Sequence, residues 1–529
     1  MVVPLTPIRF LYRAAELYGR KKAIICGARQ FTYAEFRERC ERLASALRAQ
    51  GVQPGDRVAY LSFNNHQLLE GYYGVAMAGA MVMPLNVRLS AAELTGILCH
   101  AEPRVLLFES EFAPLLAQLR PSCSSIERLV SLDEPVAEAD GVYEELLAAG
   151  RPEPIDFMAV DENAAAELFY TSGSTGTPKG VMLTHRTLYL HALSVATIYD
   201  DRDSTVNLQT IPLFHANGWG CPQTSTLLGA RQVMVRRFEP ATVFRLIEEH
   251  RATDMALVPT MANALVNAPE RAAHDLTSMK RIMIGGAASS AELIERMEQA
   301  FGCRCYAGYG LTETGPVLTT GRVKDGLRFD SEASRYRRQA MAGFPVPNVE
   351  LRVVNAQGID LPRDGTSIGE VLTRSDHVME GYYKDPEGTA SALSDGWLRT
   401  GDMAVWDEEG YIHIVDRKKE IIISGGENIS SLEVEKAIAA HDGVYECAVV
   451  SAPDETWGEV PVAVVHAKPG SNLTAEELLA FAGERLARFK LPKRIDFTDA
   501  PLPKTGTGKI RKLELRERYW AGKERRVQG

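Results

Sequence analysis

"YTSGSTGTPKG", residues 170–180, puts three glycines, five Ser/Thr hydroxyls and one lysine into eleven positions. Glycines let a backbone approach a ligand closely, and hydroxyls with main-chain N–H groups are the donors that cradle phosphate oxygens. A nucleotide phosphate is therefore the first ligand to consider. The Walker pattern G-x-x-x-x-G-K-(S/T) needs Lys directly after its last glycine and a hydroxyl after that. Here Pro178 precedes Lys179 and Gly180 follows it, which argues against a P-loop that splits the β–γ bond but leaves phosphate binding open. The other reading is an ordinary Ser/Thr/Gly-rich surface loop, and the stretch by itself admits both.

Outward from this segment, short apolar runs alternate with helical patterns. The runs are "RVAYLSF" (57–63), "AMVMPLN" (80–86), "VNLQTIPLFH" (206–215), "RQVMVRRF" (231–238), "DMALVPT" (254–260) and "RIMIGGA" (281–287). Amphipathic stretches such as "TYAEFRERCERLASALRAQG" (32–51) lie between them. The alternation predicts a layered α/β architecture with largely parallel sheets. Several runs end in glycine-bearing turns, notably "IMIGGAASS" and "YAGYGLTETGP". Ligands of open α/β sheets bind beyond the carboxyl ends of strands, so these turns are candidates for a site.

The chain has 529 residues, 45% of them hydrophobic, which predicts two or more domains with real cores. Net charge is −10, so no overall positive field recruits nucleic acid or anionic lipid. The N-terminus lacks a signal peptide's apolar core and no apolar run approaches membrane-spanning length, which predicts a soluble cytoplasmic protein with no integral membrane segment. The eight cysteines are scattered; Cys303 and Cys305 are the close pair, at a spacing that matches no zinc pattern. They are expected to be small buried apolar residues in a reducing compartment.

The last hundred or so residues read as a small α+β module. "SLEVEKAIAAHDG" is helix-patterned, "VYECAVVSAP" and "EVPVAVVHA" are strands, and "TAEELLAFAGERLARF" is a second helix. Its basic tail contains "PKTGTGK" (503–509), which repeats the ingredients of the opening stretch. Lys509 behind Gly506 and Gly508 is placed to deliver a cation to an anionic site; alone, an exposed basic tail is the commoner meaning.

Over nearly its whole length the chain resembles the AMP-forming adenylate-forming enzymes, a family that includes acyl-CoA synthetases, nonribosomal-peptide adenylation domains and firefly-type luciferases. Four signatures carry the resemblance in the family's order: residues 170–180, "YGLTE" (309–313), "RTGDMAVWDEEGYIHIVDRKKEIIISGGENIS" (399–430) and "PKTGTGK". The resemblance implies a large N-terminal domain of two β-α subdomains plus a small β-barrel, residues 1–417. A mobile α+β lid, residues 418–529, would turn about a hinge near Lys419.

The implied chemistry brings a carboxylate onto the α-phosphate of MgATP, two anions whose approach is governed by charge and position. By resemblance, Thr171, Ser172, Gly173, Ser174, Thr175, Gly176, Thr177 and Lys179 wrap the phosphates that leave as pyrophosphate. Gly308, Tyr309 and Gly310 border the nucleotide, and Thr312 contacts the α-phosphate. Glu313 holds Mg²⁺, with Thr175 as a second metal candidate. Asp402 accepts from the ribose hydroxyls, a carboxylate being a natural acceptor for a diol, and Arg417 also binds nucleotide. Lys509 bridges carboxylate and α-phosphate. Catalysis would thus fall to Lys509, Glu313 and Thr312.

CoA then displaces AMP once the lid has turned, with Gly425 and Gly426 lining the thiol tunnel. His215, Trp219, Gly285, Gly286 and Ala287 would wall the acyl pocket; a core tryptophan is the competing reading of Trp219. None of the named wall residues is an Asp to hold an amino group or an Arg for a second carboxylate. "FHANGWG" and "RRQAMAGFPVPNVELRVV" (337–354) look most like the subgroup that activates fatty acids. Medium to long chains are expected, with short thioether, alicyclic and aryl acids as alternatives. A stand-alone module loading a carrier protein and an inactive ATP-binding regulator are the readings from other classes. Dimers are frequent in the family, though no segment here announces an interface.

Overall fold

Apolar runs of four or five residues become buried parallel strands. Arg57–Leu61 is buried beyond its first residue and pairs in parallel with Met81–Leu85 on one side and Val105–Phe108 on the other. A strand covered on both faces needs no polar alternation, which is why these segments read as continuous apolar runs. The computed structural model of the chain describes residues 2–171, 178–198, 203–418, 420–424, 427–454, 456–504 and 509–521.

Contacts divide the chain into two compact units, residues 1–351 with 373–398, and residues 352–372 with 399–529. The chain crosses between them inside three strands, Val349–Val354, Gly369–Ser375 and Trp397–Trp406. These crossing points lie upstream of the 417/418 boundary expected for motion.

The larger unit holds two sheets. One runs Gly381–Tyr382, Lys179–Thr184, Ala165–Thr171, Met81–Leu85, Arg57–Leu61, Val105–Phe108, Arg128–Ser131, Gly141–Val142. In the other, Arg304–Gly310, Arg281–Ile284, Asp254–Leu257, Val206–Gln209, Arg231–Met234 and Lys22–Cys26 lie side by side in parallel. The amphipathic stretch at 32–51 is the helix Tyr33–Ala49. Thr32 caps it, accepting from the Glu35 N–H while the Glu35 carboxylate accepts from the Thr32 N–H.

Two expected strands stop early, at Gln209 and Met234. Pro212 removes a ladder donor in the first run, and the chain leaves the sheet there at its carboxyl edge, where sites form. In the smaller unit the strands Val444–Asp454 and Gly458–Ala467 pair antiparallel, with the helices Ser431–Ala439 and Ala475–Gly483. The last helix is shorter than its sequence pattern and ends at Gly483. Every cysteine is free. Cys99 corrects the expectation of uniform burial: it sits exposed near the end of the helix Ala91–Ala101, its Sγ 3.9 Å from that of buried Cys123. No described helix is long and apolar enough to cross a membrane.

Candidate active site

Strands Ala165–Thr171 and Lys179–Thr184, which flank the glycine- and hydroxyl-rich segment, pair antiparallel as a hairpin with Thr171 opposite Lys179. Ser172, Gly173, Ser174, Thr175, Gly176 and Thr177 lie outside the described residues, as do Lys419, Gly425 and Gly426. Tyr170 Oη lies 2.7 Å from His100 Nδ1. Lys179 Nζ is 3.2 Å from Asp385 and stands 4.4 Å from the centre of the Tyr382 ring.

Tyr382 joins that lysine to the second motif. Its hydroxyl donates to Glu313 Oε1 at 3.0 Å, while burial and then the Glu313 charge push the phenol well above its usual range. The phenol therefore stays a donor. Glu313 rides on the 3₁₀ turn Thr312–Thr314, and its carbonyl accepts the Met379 N–H at 2.8 Å. Buried His377 adds a bond from Nδ1 to the Thr314 carbonyl at 2.9 Å. The turn follows a strand that ends in Gly308, Tyr309 and Gly310. A Cβ at Gly310 would stand 1.9 Å from the Pro316 carbonyl oxygen, so only glycine lets the strand double back there. Thr312 is buried. Glu313 offers hard carboxylate oxygens, one of them oriented by a phenol, and this donor set fits Mg²⁺.

The acyl-wall candidates gather in the same unit. Residues 216–220 form a left-handed turn, with φ of 44° at Ala216, 43° at Asn217, 59° at Gly218, 60° at Trp219 and 74° at Gly220. Each L residue in that region costs about 1–2 kcal/mol, Asn least among them, so surrounding contacts must hold the turn. Trp219 is 7% exposed and packs with Val195, Ile211, Met283 and Tyr306, in keeping with a core residue. Its indole also lies against the glycine pair after strand Arg281–Ile284. A Cβ at Gly285 would meet it at 3.2 Å and one at Gly286 at 3.1 Å. His215 is half-buried at the start of the turn, and Ala287 is exposed beyond the glycines.

Several residues that shape this unit escape a sequence reading. Asn64, buried, donates to the Gln209 and Ile211 carbonyls and accepts the Leu213 N–H at 2.7 Å, fixing the "PLFH" bend. Tyr382 and Asp385 are the other two. Asp385 caps the helix Pro386–Ala392, and the Gly388 N–H and then Lys179 hold its carboxyl below the usual range. The signal available was "YYKDP", a turn-and-cap pattern with nothing to link it to the hairpin.

In the smaller unit, Asp402 and Arg417 face each other across an antiparallel pair, and Arg417 Nε lies 2.6 Å from Asp402 Oδ1. Asp402 is buried while the Arg417 side chain is 47% exposed. The arginine thus orients the carboxylate as well as offering charge outward. Lys509 is exposed just before Ile510, whose bridge to Lys504 closes the base of the loop. That base is tied at both ends. Lys504 pairs with Glu446 at 2.5 Å, and Lys512 reaches Glu435 at 2.8 Å, Ser431 Oγ at 2.7 Å and Glu420 at 3.4 Å.

The family model described as "AMP-binding enzyme" matches residues 11–383, and "AMP-binding enzyme C-terminal domain" matches 433–509. A long-chain-fatty-acid–CoA ligase of Thermus thermophilus is 42% identical over 523 residues, covering 96% of this chain and 95% of the relative. 4-hydroxybutyrate–CoA ligase 2 of Metallosphaera sedula is 36% identical, covering 97% and 94%. The solved anthranilate CoA ligase AuaEII, in complex with anthranoyl-AMP, superposes with a TM-score of 0.89 at 25% identity over 98% of each chain. Matching motifs, fold and family models together make the chain a member of the AMP-binding, adenylate-forming enzyme family.

Proposed function

We propose that the protein is an AMP-forming acyl-CoA synthetase. A carboxylate attacks the α-phosphate of ATP, expelling pyrophosphate, and CoA then displaces AMP from the acyl-adenylate to give the thioester. The observation that carries this reading is the grouping of Lys179, Tyr382 and Glu313. It sets a cation at the base of the phosphate hairpin and a hydrogen-bonded carboxylate beside it. When bound at Glu313, Mg²⁺ supplies charge neutralisation to the phosphates. Lys179 and the 171–177 segment hold the leaving pyrophosphate, and Thr312 hydrogen-bonds the α-phosphate. Asp402, steadied by Arg417, accepts from the ribose. Lys509 brings a positive charge to the two reacting anions, and Gly425 and Gly426 leave a channel for the thiol.

The acid is taken to be a medium- to long-chain fatty acid. The apolar cluster around Trp219 supports this, as does a 42% identical relative named for long-chain acids. A short or aryl acid is the second reading, favoured by the Trp219 indole lying over Gly285 and Gly286. Residues 418–529 act as the moving lid, pivoting near Lys419, in a cytoplasmic enzyme that works on small molecules. Purified protein with MgATP, CoA and acids from acetate to palmitate, plus benzoate, tests the reading by mass spectrometry of products. AMP with an acyl-CoA from part of the panel is expected. AMP and pyrophosphate without thioester would point to a carrier-protein acceptor, and ADP or no turnover would overturn the proposal. For the hinge, Lys419→Pro is expected to slow thioester formation more than adenylation, and equal loss in both half-reactions would refute it.

A further inference from the structure

We propose that Glu167 is a positioning residue which, through Asn217, holds the left-handed turn 216–220 and so sets how far Trp219 covers the Gly285–Gly286 floor, and with it which acids fit. The selectivity half of this statement rests on the reading of that turn as an acyl-pocket wall. The geometry is a closed chain of bonds. Glu167 is 1% exposed; its Oε2 accepts from Asn217 Nδ2 at 3.1 Å and its Oε1 from Gln223 Nε2 at 2.8 Å. Asn217, fully buried, spends its Oδ1 on the Gly220 N–H at 2.7 Å. One carboxyl group thus grips both the turn and the helix Cys221–Leu228 that follows it.

Glu167 also stands four residues before Thr171, on the strand that leads into the phosphate hairpin. The strand that grips the turn is therefore the one that runs on to the phosphate segment. A second brace meets the far side of the turn. Gly220 packs on His191, where a Cβ would stand 2.3 Å from the ring, and His191 Nε2 accepts the Val317 N–H at 2.9 Å, on the strand after Glu313. Burial, and then His377, keep His191 neutral and so an acceptor.

The acid itself is held neutral by the same burial, which pushes it up to about 8 against the opposing pull of the two amides. Tyr72 and Tyr73 from helix His66–Met77 and His185 from helix His185–Ile198 face it across a small cavity. The Gln223 Oε1 atom is buried without a partner, so a neutral acid or an amide at position 167 has an acceptor nearby.

E167Q, E167A and N217G are compared with wild type by two measurements. The first needs no catalysis: Trp219 emission and acrylamide quenching, each taken as the difference from the same protein carrying W219F. E167A and N217G are expected to shift Trp219 emission to the red and raise its quenching about twofold, while E167Q stays near wild type because an amide retains the network. The second is kcat/KM across a straight-chain acid series. E167A and N217G should move the long-to-short ratio about tenfold, leave the KM for ATP within about twofold, and have no further effect on the ratio in a W219A background. An unchanged Trp219 signal in both E167A and N217G overturns the positioning role, whatever the kinetics. A changed signal with an unmoved ratio overturns the acyl-wall reading instead. Should E167A not fold, N217G and E167Q carry both measurements.

Discussion

Two carboxylic acids withdrawn from solvent in this protein are kept in opposite ways. Glu167, in the larger unit, is surrounded by neutral amides and stays protonated, a shape-fixing group with directional bonds. Glu435, in the smaller unit, is less completely buried, with 14% of its side chain exposed; burial again raises its pKa, but Lys512 pulls against that rise. Burial also works against the charge on Lys512, yet Glu435, Glu420 and Asp416 together lift its pKa above the ordinary lysine value. The neutral arrangement suits a turn that must hold one shape. The ionic cluster suits a segment that must be anchored, because it ties Lys512 while Lys509 nearby stays exposed. Lys509 and Lys512 are three residues apart, one exposed and the other an anchor.

The largest expected effect breaks the ionic side of the comparison. Lys512→Met leaves Glu435, Glu420 and Asp416 without their cation and should cost about 3–5 kcal/mol, by the cost of orphaning one partner of a buried pair. Denaturant unfolding of the smaller unit followed by hydrogen exchange reads it, and a loss below about 1 kcal/mol would mean that the cluster is solvated and not structural. Lys509→Ala, by contrast, should leave stability unchanged within about 0.5 kcal/mol while slowing adenylation about 10²–10³-fold. Pyrophosphate exchange measures the first half-reaction, and thioester formation from supplied acyl-adenylate should survive. Equal effects of both lysines on both readouts would erase the distinction between the exposed lysine and the anchor.

Tyr382→Phe sharpens the picture within the larger unit. Losing one hydrogen bond to a charged group is worth about 1.5–3 kcal/mol, so the Mg²⁺ concentration for half-maximal turnover should rise about tenfold or more; an unchanged Mg²⁺ curve would remove Tyr382 from the site. The last effect is one of pH. The folded pKa of Glu167, about 8, lies above its unfolded value. The native state then holds a proton that the unfolded chain releases, and this contribution to stability is complete below pH 4.5 and is lost as pH rises towards 8. Between those limits wild type should lose at most about 1.4 kcal/mol per pH unit more than E167Q. Thermal melts of the two proteins from pH 5 to 8 check it, and parallel curves would show that Glu167 is ionised throughout.

Family and motif residues were legible because phosphate and metal chemistry constrains residue type at short spacing. Lys179, Glu313, Asp402 and Lys509 each sit inside such a run. Their helpers were not. Asn64 supports a bend about 150 residues away, Glu167 meets Asn217 across 50 residues, and Tyr382 meets Glu313 across 69. A lone Asn, Glu or Tyr in an apolar strand or a polar turn carries no local pattern that names its partner.

The sequence alone determined the layered α/β architecture, the small α+β module and the family, since burial periodicity and ligand-binding runs are local properties of the chain. Only tertiary structure decided that the "ANGWG" segment is a left-handed turn, that Trp219 lies on two glycines, and that Arg417 spends part of its charge on Asp402. Those facts depend on which distant side chains share a desolvated space. Hydrogen bonds and ion pairs take their strength from that space, not from spacing along the chain.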